Sequence, residues 1–324
     1  MQRENKKDKD KEGKDCPHSL MRYLLIAILY MFTSSVATAQ EYSLHWISSP
    51  VPDSTSQLWF RKQIVCGKRP KKAYVCICTT GYADLYVNGR NASRFVMTPC
   101  REPYSSHTAS ATHDISRFIH SDTITLAVWY SPSFPHPTKR QISVICYGTY
   151  TDGTPFAWFS DRSWLCRQSP AILNAKGGET IDGRQDTRLW KSDKDYSLAL
   201  WTGCESTEPS AVEWTEQKED RVAKIAEVLE YRYFDIEKDT ITYDFGNGFY
   251  GWLRLTLRNA TKGEKICFGN MEYICNGKLD EQACMRFTTE YIRKPSIYGD
   301  RRFRPKHITN AEGINIVFTD RGLQ

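Results

Sequence analysis

The chain has 324 residues, enough for about two domains of ordinary size. Aromatic side chains make up 13% of it, with nine Trp and eighteen Tyr, material either for apolar cores or for platforms that stack on sugars. The formal net charge of +6 is not gathered into an Arg/Lys stripe interleaved with aromatics, so nucleic acid is excluded as the expected partner.

From the N-terminus, MQRENKKDKDKEGKD alternates charges without apolar residues, and residues 1–20 are expected to form a disordered, charged leader. Met21-Arg22 then opens a segment with one positive charge, the apolar run YLLIAILYMF (23–32) and small residues ending Ala37-Thr38-Ala39. That order is the signature of a secretory signal peptide over 21–39, cleaved before Gln40. Ten apolar residues are too few to cross ~30 Å of hydrocarbon as a helix. The mature chain is therefore expected to be exported, periplasmic or secreted, with no membrane span after cleavage. Of eleven cysteines, ten follow Cys16, an even number that permits disulfides in an exported chain. Cys76 and Cys78 in YVCICTT, Cys146 in ISVICYG and Cys267 in EKICFG nevertheless sit in apolar runs, where cysteine behaves as a small buried hydrophobe. No C-x-x-C pair marks a zinc site.

Short β-type runs follow one another: LWFRKQIVC (58–66), KAYVCICTT (72–80), ADLYVNG (83–89), TITLAVWY (123–130) and QISVICYG (141–148). Asn88-Gly89 after an alternating run predicts a tight hairpin. SPSFPHPTK (131–139) is a Pro-rich loop, and KGGETIDGRQDTRLWKSDKD (176–195) a polar excursion. CESTEPSAVEWTEQKEDR (204–221) is acidic and reads as an interdomain linker. RVAKIAEVLEYRYF (221–234) fits a helical stripe in its first half but alternates in its second; a strand is favoured. Further strands are expected at 239–245, 251–258, 264–271, 287–293 and 313–318. The fold class is thus all-β: two antiparallel, jelly-roll-like β-sandwich domains, 40–203 and 222–324, after the signal peptide. In the second, YDFGNGFYGW (243–252) places glycines before the alternating run LRLTLR, a point where backbone or ligand comes close.

These stretches resemble a known family. TTGYADLYVNGR (79–90), VMTPCREPYSSHTASATHDIS (96–116), SWLCRQSPAILN (163–174), GGETIDGR (177–184) and YDFGNGFYGW occur in the order of corresponding motifs in the bacterial α-L-rhamnosidases. The resemblance covers that family's N-terminal β-sandwich and the β-domain after it. It departs at Asn247-Gly248, where the family carries Gln-Asn, and at Glu312-Gly313-Ile314-Asn315 near the end. The family's two catalytic carboxylates are implied to reside on a helical (α/α) barrel that follows the β-domains, and only TDRGLQ follows Phe318. The expectation is an exported, non-catalytic carbohydrate-binding or accessory protein for rhamnose-containing oligo- or polysaccharide. The alternative is the N-terminal part of a split or truncated α-L-rhamnosidase that needs a separately encoded catalytic subunit.

Two sets of site residues are expected. The resemblance implies that some members bind rhamnose through calcium in an N-terminal sandwich, and Tyr82, Asp84 and Asn88 beside the hairpin are the candidates for an equivalent. Glu179, Asp182 and Arg184 form the other set, read either as a sugar or calcium contact or as a fold-internal ion pair. Trp129, Trp158 and Trp164 are candidates for stacking on sugar rings, set against ordinary core roles. His107 and His113 are expected at the surface. Asp280-Glu281 and Glu290, the close acidic group of the second domain, carry no expected catalytic role, because adjacent strand residues face opposite ways.

Overall fold

The computed structural model describes residues 45–51, 53–100, 108–133, 139–185, 189–192, 198–208, 214–216 and 221–320. The leader, the signal-type segment and His107 lie outside these residues. In chain order the first fourteen strands are β1 (Trp46–Ser48), β2 (Ser56–Val65), β3 (Pro70–Thr79), β4 (Tyr82–Val87), β5 (Arg90–Asn91), β6 (Thr108–Asp114), β7 (Thr123–Ser131), β8 (Gln141–Tyr150), β9 (Pro155–Phe159), β10 (Leu165–Leu173), β11 (Glu179–Asp182), β12 (Thr202–Gly203), β13 (Glu205–Ser206) and β14 (Trp214–Glu216). The rest are β15 (Arg221–Glu230), β16 (Tyr233–Glu237), β17 (Thr240–Asp244), β18 (Phe249–Arg258), β19 (Lys265–Phe268), β20 (Met271–Ile274), β21 (Asp280–Ala283), β22 (Glu290–Ile292), β23 (Ser296–Gly299) and β24 (Ile308–Asp320).

Alternation decides the first layer pair. Leu58, Phe60, Leu85, Leu126 and Val128 point from one face of β2, β4 and β7 toward Ile47, Val75, Ile77, Ile142 and Val144 on β1, β3 and β8. The predicted hairpin is present: Asn88 and Gly89 both have positive φ, 49° and 82°, and join β4 to β5. A second core forms between β18 and β24 on one side and β17, β19, β20 and β23 on the other, around Leu253, Leu255, Leu257, Ile266, Phe268 and Ile297. Each fully buried side chain of this size stabilises by about 1.5–3 kcal/mol relative to exposure. All ten cysteines after Cys16 are free thiols, seven of them buried, in keeping with their apolar runs.

Three sheets carry these cores: a seven-stranded one (β13-β1-β8-β3-β6-β14, with β9 on β8), a twelve-stranded one (β16-β17-β23-β19-β20-β11-β10-β2-β7-β4-β5, with β12 on β10) and a five-stranded one (β15-β24-β18-β21, with β22 on β18). The pairing is antiparallel except for β11 with β20 and β14 with β6. The ambiguous 221–234 stretch is strand, β15 running into β16, because β15 pairs with β24 along its whole length. The acidic 204–221 stretch includes β13 and β14, which pair with β1 and β6 at the two ends of the seven-stranded sheet.

The glycines of 243–252 admit backbone. Gly246 and Gly248 turn with positive φ, and at Gly251 (φ 152°) a Cβ would stand 1.9 Å from the Ile314 carbonyl oxygen of β24. Only a residue without Cβ lets β24 lie this close to β18.

The junction between the cores is a buried carboxylate. Glu179, on β11, is fully buried. Its Oε1 accepts from the amides of Arg286, Phe287 and Thr288 at 2.9, 2.7 and 3.0 Å and from the Thr288 hydroxyl at 3.1 Å. Its Oε2 accepts from Gln57 Nε2 at 2.9 Å. His113 also departs from expectation. It lies on β6 opposite Val75 and is buried, because the alternation of β6 turns it inward.

Two outcomes follow from these buried groups. Glu179→Ala orphans three backbone donors and is expected to lower unfolding free energy by about 3 kcal/mol or more, read by urea denaturation. Burial holds the His113 imidazole down at about 4, below the ~6.5 of an unfolded chain. The unfolded chain therefore takes up a proton first as pH falls from about 6.5 to 4, and stability drops by about 3 kcal/mol across that window. His113→Gln removes this share of the pH dependence in melting curves at pH 7 and pH 4.

Candidate functional site

Beside the Glu179 junction lies a cleft of about 480 Å³ lined by, among others, Asp84, Arg94, Trp129, Glu179, Arg254 and Arg286. Asp84 reaches it because the alternation of β4 sends Ala83, Leu85 and Val87 into the first core, and Tyr86, on its other face, joins Trp59, Trp190 and Trp201 in a third aromatic cluster. The Asp84 carboxylate forms an ion pair with the Arg286 guanidinium, which also lies 4.7 Å from the Trp129 ring centroid. Burial alone would pull Arg286 down, but the Asp84 carboxylate beside it more than offsets this and holds the guanidinium firmly protonated. Trp129 donates from Nε1 to Gln57 Oε1 at 2.8 Å, and Gln57 donates in turn to Glu179. Arg254, also lining the cleft, donates to Glu312 Oε2 at 2.8 Å, with both side chains partly exposed.

The expected site residues fall into different places. Asp84 and Glu179 come together here, one in an ion pair and the other enclosed by backbone amides. Tyr82 packs against the second core. Asn88 spends its amide on the hairpin, donating to the Phe118 carbonyl at 3.0 Å and accepting from the Thr125 amide at 2.8 Å. With Asp84 committed to Arg286, the set Tyr82, Asp84 and Asn88 does not fit a calcium site. Among the described residues no group of three or more His, Cys, Asp or Glu is arranged to hold a metal ion. Asp182 and Arg184 pair with each other through two 2.8 Å bonds on an exposed turn; the guanidinium holds the Asp182 carboxyl below its usual range.

Of the three tryptophans, Trp164 is core and Trp158 is half-buried against it, 4.4 Å from Phe156. Trp129 alone of the three lines the cleft. Arg286, the residue that organises the site, has no sequence motif around it. Its only signal is a charge set between Met285 and Phe287, apolar neighbours that both prove to be buried.

Chemically the cleft offers hydrogen-bond donors in a fixed fork, a carboxylate and an indole, groups suited to neutral polyols. Glycoside cleavage by inversion needs a proton donor and a free base about 6.5–9.5 Å apart. Asp84, Glu179 and Glu312 are each committed to a partner. In the second half Glu281 accepts from the Tyr273 hydroxyl and the Asn276 amide, Asp280 pairs with Arg258, and Glu290 accepts from the Asn270 amide, with burial pushing its carboxyl up.

Residues 68–226 match the family model of the alpha-L-rhamnosidase N-terminal domain. An alpha-L-rhamnosidase of Formosa agariphila is 24% identical over 306 residues, an alignment covering 80% of this chain and 32% of that protein. The chain thus spans about a third of the length of that curated relative. Among solved structures, the alpha-L-rhamnosidase of Dictyoglumus thermophilum superposes with a TM-score of 0.76 at 22% identity, covering 86% of this chain and 36% of that one. The Streptomyces avermitilis alpha-L-rhamnosidase, solved in complex with L-rhamnose, gives 0.73 at 19% identity, covering 83% and 29%. At these identities the superpositions establish a shared fold. Residues 68–226 are thus similar to the alpha-L-rhamnosidase N-terminal domain, and the chain is related in sequence to part of an alpha-L-rhamnosidase.

Proposed function

We propose that this chain is an exported, periplasmic or secreted, non-catalytic carbohydrate-binding protein that acts as an accessory on rhamnose-containing glycans. The observation that carries the reading is the cleft at the junction of the two cores, where Arg286 is held over Trp129 and against Asp84. Its volume of about 480 Å³ suits one or two sugar rings. The commitment of the cleft carboxylates supports binding without hydrolysis. Little apolar area is covered by a single sugar, so affinity in the millimolar range is the natural scale.

A second reading rests on the five-stranded sheet. Tyr250 pairs with Tyr291 across β18 and β22, and Ile225 and Val228 lie on β15 opposite the buried Ile316 and Ile314 of β24. In this patch Tyr250 is 61% exposed, Tyr291 53%, Val228 52% and Ile225 46%. Apolar exposure of that kind marks interaction surfaces and supports the alternative, the N-terminal part of a split or truncated α-L-rhamnosidase completed by a separate catalytic domain.

Calorimetric titration of the full chain with L-rhamnose and with a rhamnose-containing pectic oligosaccharide, each with and without chelator, tests the first reading. Saturable binding, weakened about tenfold (about 1.4 kcal/mol) by Arg254→Ala at unchanged melting temperature, is the expected result. Absence of binding to either sugar overturns it, and release of aryl alcohol from an aryl rhamnoside by the chain alone overturns the non-catalytic assignment. For the second reading, Tyr250→Lys with Tyr291→Lys is expected to abolish co-elution with a separately expressed rhamnosidase catalytic domain while leaving sugar binding intact.

A further inference from the structure

Cys166 and Cys204 are distant in sequence and adjacent in the fold. The register of β10 with β12 sets Cys166 opposite Thr202, and the Cys204 amide donates to the Trp164 carbonyl at 2.9 Å just past the end of β12. Residues two apart on a strand share a face, so both thiols point into the first core, where both side chains are buried. There the two thiols adjoin, with the Thr202 hydroxyl donating to the Cys166 carbonyl at 3.3 Å and the Arg140 guanidinium nearby.

We propose that Cys166 and Cys204 close a disulfide when the chain meets an oxidising environment. The two-electron oxidant is a disulfide, either a small-molecule one or that of a thiol oxidase. The Cys166 thiolate attacks one sulfur of that oxidant, releasing one thiol and leaving a mixed disulfide on Cys166. The Cys204 thiolate then attacks the Cys166 sulfur and expels the second thiol. Two cysteine thiols and one external disulfide thus become one internal disulfide and two external thiols.

Geometry sets the timing. Diagonal neighbours on paired strands have Cβ atoms within about 7 Å, whereas a disulfide needs about 3.5–4.5 Å. Closure therefore draws the free end of the two-residue β12 inward. Because both sulfurs are buried in the folded chain, the bond forms before the 198–206 segment docks. The bond would pin the segment carrying Trp201, whose ring lies under the Arg61 and Arg167 guanidinium groups at 6.0 and 5.6 Å.

The test is peptide mapping of the full chain refolded with a glutathione redox couple and unfolded in alkylating agent without reductant. The expected result is a linked peptide pair containing Cys166 and Cys204, lost on reduction, with a melting temperature on the order of 5 °C above that of the reduced protein. Cys204→Ser is expected to melt alike with and without reductant. Quantitative alkylation of both cysteines in the refolded, unreduced wild type, or their linkage to other cysteines, overturns the proposal whether or not the variant folds.

Discussion

One carboxylate holds the arrangement together. Glu179 leaves β11 and gathers three consecutive amides of the 286–288 segment, more than a hundred residues later. An unpaired charge at that depth would be prohibitive, and an orphaned amide costs about 1–3 kcal/mol. Donors and acceptor therefore fix each other. Because the same oxygens also engage Thr288 and Gln57, the segment has one position available, and Arg286 is delivered to Asp84 and Trp129. The cleft is a by-product of that junction.

How much of this could be read from residue order varies with the range of the interaction. Alternation revealed most strands of both cores, though not β20, β21 or β23, and Asn88-Gly89 announced its hairpin, since these are properties of neighbours. Gly251 was recognisable as a place of close approach, although not that the approaching group would be the Ile314 carbonyl. The GETIDGR motif drew notice to Glu179, Asp182 and Arg184 as one set. The fold separates them, because strand alternation sends Glu179 inward and leaves the other two on a turn, bonded to each other. Arg286 was invisible, for its partners lie at positions 84 and 129 and no local pattern encodes a meeting across that distance. His113 was misplaced for a simpler reason: a Ser/Thr-rich neighbourhood suggested a surface, and the phase of β6 decided otherwise.

The polar groups of the cleft are largely spent on one another. A proton-transfer catalyst needs a carboxyl whose proton affinity is tuned and whose oxygens are unencumbered. Here the acids serve as structural acceptors, held by guanidinium groups or amides.

The pairing of β11 with β20 makes one sheet out of strands that belong to two cores. Severing the polypeptide between positions 208 and 221 would not liberate two self-sufficient modules. Each piece would bare a raw ladder of amides and carbonyls where its neighbour had been, the kind of border that seeks any other chain. Engineers who wish to borrow either half must first give that border a cover.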